Sequence, residues 1–216
     1  EQFIAAGEGV LVVDVKGELA EDIAARTVHA DRLIYVAPGE TRFSSGRRFW
    51  TLNPLEFDRS QEHLEDIAVA NLLSLFERMK LARMDVMVQV RQLLQMSARL
   101  ALLLPQPSLN DLSEILHRQV LREQLLQDPR VTRSVRRFWE GFNALTPAKQ
   151  QEKINSTVPR LNEFLSAPVV EQLVGHARST IRLAEWLDQG KLVVCNLGGK
   201  LALETSVLLG NFVVAS

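Results

Sequence analysis

The chain has 216 residues, room for one or two domains, and a hydrophobic share of 46% that excludes wholesale disorder. Its 25 basic residues face 26 acidic ones, so net charge makes no case for a nucleic-acid partner and only local clustering can. The single Cys195 excludes an internal disulfide and a cysteine-built zinc site and fits a reducing compartment, and no apolar run approaches the ~20 residues of a membrane span.

The opening stretch EQFIAAGEG reads as the last turns of a helix, with Phe3 and Ile4 apolar and Gly7 at the stop. GVLVVD, Gly9 to Asp14, is a continuous apolar run ended by an acid, the pattern of a central parallel strand covered on both faces. Gly17 breaks the run, Leu19 to Val28 follows as a short helix, and LIYVA, Leu33 to Ala37, is a second strand stopped by Pro38-Gly39. Phe49 to Pro54 reads as a third strand or an extended edge.

From about Asp58 to Leu187 the periodicity is helical throughout. Ser60 to Leu81 and Met84 to Leu104 carry apolar residues near a 3.6 period, and Pro105 and Pro107 stop the second. Ser108 is placed as the next N-cap. Asp128-Pro129, Thr146-Pro147 and Val158-Pro159 are each expected to open a further helix, for roughly seven in all. KLVVCNL, Lys191 to Leu197, is a buried strand, Gly198-Gly199 a sharp connection, and Leu201 to Ala215 a helix with a wide apolar face. Short α/β ends around a helical middle cannot each bury a core alone. The expected layout is therefore one α/β domain, residues 1–57 and 188–216, interrupted by an all-helical insertion, residues 58–187. Nothing caps the start of the first helix and nothing closes the last one, which suggests a piece of a longer chain.

Five phrases in order carry a family resemblance. AAGEGVLVVDVKGELAEDI, with Asp14-Val15-Lys16-Gly17-Glu18, resembles the strand after the phosphate-loop helix in TraG/TraD-type conjugative coupling ATPases and the wider HerA/FtsK group. The next strand with Asn53-Pro54-Leu55, the FWEGF of Phe138 to Phe142, the PRLNEFLSAP of Pro159 to Pro168, and LDQGKLVVCNLGGKLALETSVLLGNFVVA are similar to later family phrases. The resemblance implies a RecA-like P-loop NTPase core with a parallel sheet and an all-helical insertion. It also implies ATP and Mg²⁺ as cofactors, DNA as partner, and secretion or relaxosome proteins as further partners. A homo-oligomeric ring, a hexamer, working in the cytoplasm is implied as well, held at the inner membrane through other regions. The family's phosphate loop GxxxxGK[ST] and its Asp-Glu strand do not occur in this sequence.

Asp14 and Glu18, at the carboxyl end of a central strand, are the candidate catalytic carboxylates, and Lys16 and Gly17 the candidate cofactor contacts. The plainer reading is a strand-ending acid and a helix-starting Glu18. Gly7-Glu8-Gly9 precedes its strand and so reads as a turn rather than a dinucleotide loop, and Gly198-Gly199-Lys200 reads as a tight turn. Arg130, Arg133 and Arg137 are expected on one helix face with Arg136 beside them and Arg118 and Arg122 upstream, a basic cluster for nucleic acid or an acidic partner. A solvated face is the competing reading. Glu114 and His117 form a lone Glu-x-x-His pair, short of a metal site. Cys195 and the three tryptophans read as packing residues. The alternative function is a catalytically silent adaptor whose helical part binds a protein.

Overall fold

The computed structural model describes residues 6–38, 50–60, 63–78, 84–166 and 168–198, together with residues 206, 207, 209, 210 and 213. They form two compact units. One comprises residues 1–52 and 179–216, and the other residues 53–178.

The first unit is α/β. Strand β1 (Val10–Asp14) is followed by helix α1 (Glu18–Arg26) and strand β2 (Leu33–Val36); helix α9 (Leu183–Asp188) and strand β3 (Leu192–Asn196) come from the other end of the chain. All three strands are parallel, in the order β1-β3-β2. The register sets Val10 opposite Leu192 and Asp14 opposite Asn196, and Leu33 pairs with Leu192 from the other side. The five residues of β3 are all buried, which is why its sequence is a solid apolar run and not an alternating one.

Alternate residues of β3 serve opposite faces. Leu192 and Val194 pack with Ala20 and Ile23 of α1 and with Val10, Val12, Leu33 and Tyr35. On the other side, Gly210, one of the helical residues near the end of the chain, lies against Val13, Val15 and Leu197. Leu209 and Val213 are buried, so both faces are covered as the strand composition requires. Trp50 and Trp186 meet edge to face at 6.2 Å. Thr51 and Thr180 exchange bonds: each backbone N–H donates to the other's Oγ1 at 2.9 Å, and Thr180 and Ile181 also donate to the Thr51 carbonyl.

The second unit holds seven helices among its described residues. They are α2 (His63–Arg78), α3 (Met84–Ala101), α4 (Leu109–His117), α5 (Gln119–Leu125), α6 (Arg133–Asn143), α7 (Pro147–Leu165) and α8 (Pro168–Val174). Ser108 is the N-cap of α4 as expected, and Asp111 Oδ2 accepts its backbone N–H at 2.7 Å. Asn53, 4% exposed, donates Nδ2 to the Pro107 and Ala177 carbonyls at 2.7 and 2.9 Å, while its Oδ1 accepts Leu55 N–H at 3.0 Å. One amide thus ties the first residue of this unit to a loop and to its far end.

The centre of the unit is a buried arginine. Arg122 is 1% exposed. Its Nη1 donates to the Ile115 and Leu116 carbonyls at 2.9 and 2.8 Å, and its Nε to Asn143 Oδ1 at 2.9 Å. The guanidinium stands 5.4 Å from the Trp139 ring centre and 5.1 Å from that of Phe142. It supplies donors to the last carbonyls of α4, which the helix itself cannot satisfy. Burial lowers the Arg122 pKa from its ordinary value, yet an arginine starts so high that the charge persists.

Several expectations change. Asp128-Pro129 opens no helix: Val131 N–H returns to the Asp128 carbonyl in a turn, and α6 starts at Arg133 with Thr132 as N-cap. Val158-Pro159 opens none either, because α7 continues through Pro159, carried by the buried Val158, Leu161 and Ile154 on its packed face. Among the described residues, Trp50 to Pro54 form no strand; the sheet has three. Helix α9 packs on β3 and belongs to the sheet unit, although its periodicity groups it with the insertion. Glu1 to Ala5, and most of Leu201 to Ala215, lie outside the described residues.

Truncating the buried arginine leaves two carbonyls and an amide without donors and a void between two rings. Arg122→Ala is expected to lower unfolding stability by about 3–5 kcal/mol, and Arg122→Met by less, since it refills the volume. Urea unfolding followed by far-ultraviolet dichroism measures both. A loss below ~1 kcal/mol for the alanine variant would show that solvent already serves those carbonyls.

Candidate functional site at the carboxyl edge of the sheet

The parallel sheet brings its strand ends to one edge: β1 ends on Asp14 and β3 on Asn196, while β2 ends on the apolar Val36, one residue after Tyr35. Asn196, only 4% exposed, closes the sheet's apolar core. Its Oδ1 accepts the Gly198 N–H at 3.0 Å and its Nδ2 donates to the Tyr35 hydroxyl at 2.7 Å. The Leu197 N–H extends the ladder to the Asp14 carbonyl at 2.8 Å.

The loop after β1 is organised by Asp14. Its Oδ1 accepts the Lys16 N–H at 2.9 Å, and its Oδ2 accepts the Ala20 N–H at 3.0 Å in the first turn of α1. This is a local turn and a helix cap made by one carboxylate. Gly17 stands at the N-cap with φ +95°, a conformation that costs any residue with a Cβ. A Cβ there would also lie 2.8 Å from Asn196 Oδ1. Gly198 rests directly on the Lys16–Gly17 peptide, since a Cβ on it would fall 2.1 Å from the Lys16 carbonyl oxygen. Close approach thus requires glycine at both positions, to a side chain at Gly17 and to backbone at Gly198, and the positive φ is a further reason at Gly17 alone.

Burial pushes the Asp14 carboxyl pKa up, but the N–H groups of Ala20, Lys16, Gly17 and Leu19 together outweigh it and hold the group below its ordinary value. Lys16 and Glu18 are exposed. Glu18 is the first residue of α1 and, with Glu21, places negative charge at the helix's positive end. The four candidates are thus brought to one edge, with unlike duties: Asp14 and Gly17 shape the loop, and Lys16 and Glu18 project from it. Sequence reasoning missed Asn196 and Tyr35. The available signal was a lone amide ending a wholly apolar strand, but its register with Asp14 comes only from pairing.

Gly7-Glu8-Gly9 lies at the opposite end of β1, where Arg32 donates to the Glu8 and Gly190 carbonyls at 2.8 and 2.7 Å. It is a structural turn. Cys195 is fully buried in β3, and burial pushes its thiol up to about 12, which leaves it an inert core residue. His117 Nδ1 lies 2.9 Å from the Ser113 carbonyl and Glu114 pairs with Arg118 at 3.1 Å, so that pair faces other partners. Among the described residues no group of His, Cys, Asp or Glu could hold a metal ion. Gly199 and Lys200 lie outside the described residues.

The basic cluster does not act as one face, which corrects the expected alignment. Arg130 lies in the turn before α6 and is bound to Asp128, its Nη2 2.7 Å from Oδ2. That side-chain bond holds the Asp128 carboxyl down to about 2. Arg136 turns the other way and donates to the Leu126 carbonyl at the end of α5. Arg118 is paired and Arg122 buried, and only Arg133 and Arg137 stand exposed on α6 without a partner among the described residues.

No family model, no curated protein and no solved structure matches this chain. No helix among the described residues is long and apolar enough to cross a membrane.

Asp14→Asn tests the structural part of this edge. An amide presents an acceptor to only one of the two N–H groups, so the variant should lose about 1–2 kcal/mol at neutral pH. The native carboxyl pKa lies below the unfolded one, so this contribution is complete above the ordinary value of 3.8 and fades as pH falls through the lowered folded value. The stability difference between the two proteins should therefore shrink in acid. A gap that stays constant from neutral pH to well below 3.8 would show that the carboxylate charge has no part in holding the loop.

Proposed function

We propose that this chain is part of the RecA-like core, with its helical insertion, of a ring-forming ATPase that moves DNA, of the TraG/TraD and HerA/FtsK kind. The observation that carries the reading is the convergence of Asp14-x-Lys16-Gly17-Glu18 and Asn196-Leu197-Gly198 at one carboxyl edge of a parallel sheet, with Asp14 in register with Asn196. In open α/β sheets that edge is where ligands bind. A helical unit inserted between β2 and β3 is also the arrangement that the family resemblance implies.

Within this reading ATP and Mg²⁺ supply the phosphoryl group and its charge neutralisation when bound. The exposed Lys16 ammonium would stand beside the phosphates, and the exposed Glu18 carboxylate would orient or polarise a water. Asp14 and Gly17 would hold the loop that presents them, and Asn196 would keep the neighbouring strand end from shifting. A phosphate loop GxxxxGK[ST] is absent from this sequence, so these residues complete a site but do not make one alone. DNA, secretion or relaxosome proteins, a hexameric ring and a cytoplasmic place at the inner membrane belong to the same proposal. One observation favours a second reading, the silent adaptor: both Asp14 oxygens are already engaged with backbone, as a purely structural carboxylate would be.

The purified 216-residue chain should release no phosphate from ATP above a heat-inactivated control. In the same protein carrying a phosphate loop, Glu18→Gln should keep its melting temperature and lose turnover by roughly 10²–10⁴-fold, the usual worth of an acid–base group. Lys16→Ala should raise KM for ATP. Normal turnover in both variants would remove the edge from the chemistry and leave the adaptor.

A further inference from the structure

Among the described residues nearly all arginine side chains are engaged. Some sit in ion pairs, as Arg99 with Asp66 at 2.7 Å and Arg118 with Glu114 at 3.1 Å. Others hold backbone carbonyls, as Arg59 does at Leu104, and Arg122 is buried. Arg133 and Arg137 differ from every other arginine whose side chain is described: both are exposed and neither has a partner among the described residues. They lie one turn apart on the outer face of α6, with Cβ atoms about 5–6 Å apart.

A second, independent feature continues the same row. Gly141 follows Arg137 by four residues, so Arg133, Arg137 and Gly141 stand in line along the helix. It lies in the last turn of α6 with an exposed, ordinary helical backbone, and a Cβ on it would meet nothing within 4 Å. Alanine is the better helix former there, so no contact within the described chain accounts for the glycine.

We propose that the Arg133–Arg137–Gly141 row is a contact ridge for the sugar-phosphate backbone of a nucleic acid. The chemistry of the face selects this occupant over a protein. Protein interfaces are anchored by buried apolar and aromatic side chains, and none of the large exposed hydrophobic residues lies on α6. The other exposed residues of α6 are Ser134, whose hydroxyl lies 3.0 Å from Thr132 Oγ1, and Glu140. Two guanidinium forks, a hydroxyl and a bare stretch of backbone suit phosphates, and the single Glu140 limits the ridge to weak binding without sequence preference. The inference rests on the reading that the protein moves DNA and names where its helical unit would touch it.

The test is fluorescence anisotropy of the purified chain with short labelled single- and double-stranded DNA of unrelated sequences, between about 50 and 200 mM salt. The wild-type chain should bind all sequences alike, more weakly as salt rises. Arg133→Glu with Arg137→Glu should weaken binding by roughly tenfold or more and flatten the log–log salt slope by about 2, one unit per lost phosphate contact. Reversing the paired Arg118 and Arg182 instead makes the same change in net charge and should do far less. Gly141→Gln should melt no lower than the wild type and still bind more weakly, which a merely solvated face would not show. Absence of salt-dependent binding by the wild type, equal losses in the two double variants, or preference for a polyglutamate peptide over DNA would each overturn the proposal. Such a failure leaves the sheet edge untouched, because its reading depends on ATP turnover.

Discussion

Among the described residues, β1 and β2 depend on β3 as their sheet partner. Among these residues the two early strands do not pair with each other; each bonds only to β3, which lies between them and comes from the far side of the helical unit in sequence. Pairing with β3 buries all five of its residues and puts Leu192 and Val194 under Ala20 of α1. The contacts between the strand ends at the candidate site follow from that pairing. Asp14 meets Asn196, Gly198 meets the Lys16–Gly17 peptide, and Tyr35 reaches Asn196 only because one strand stands between the other two. Closing a long loop costs only slowly rising entropy, so a central strand of this kind tolerates a large insertion before it. It does require the chain to be held where it leaves and where it returns. In the sheet unit Thr51 and Thr180 are bonded reciprocally, and in the helical unit Asn53 is bonded to Ala177.

The arginines of the helical unit divide by environment and not by sequence proximity. Arg122 is buried among rings and carbonyls, Arg136 satisfies the end of α5, and Arg130 is locked to Asp128. Each of these bonds to a backbone carbonyl or a carboxylate within the helical unit. The FWEGF phrase acquires a physical meaning in the same place. Trp139 and Phe142 flank the Arg122 guanidinium, and Phe138 meets Trp139 edge to face at 5.2 Å. What read as one basic cluster is mostly internal structure, with two side chains left over on the outer face of α6.

The three strands and the helical character of the middle were legible in the sequence because they rest on local patterning. A solid apolar run bounded by Asp14 or by Gly198 has few alternatives to a buried strand, and apolar residues near a 3.6 period over Met84 to Ala101 have few alternatives to a helix. Ser108 was legible as a cap for the same reason, since its partner Asp111 is three residues away. Proline punctuation was less reliable. Pro129 sits in a turn and Pro159 inside a helix, because packing of the surrounding face, and not the ring alone, decides whether a helix stops.

The strand order, the pairing of Asp14 with Asn196 and the assignment of α9 to the sheet unit were decided only in three dimensions. Each depends on contacts between residues far apart in the chain, for which periodicity carries no information. The duties of individual charges were decided there too. Asp14 reads in sequence as a strand-ending acid; its bonds to the Lys16 and Ala20 N–H groups are local, but its place opposite Asn196 is set only by strand pairing. Arg122 and Arg133 have the same side chain. One is buried and bonded to the end of a helix and the other faces outward, and only the packing of the helices around them sets that difference.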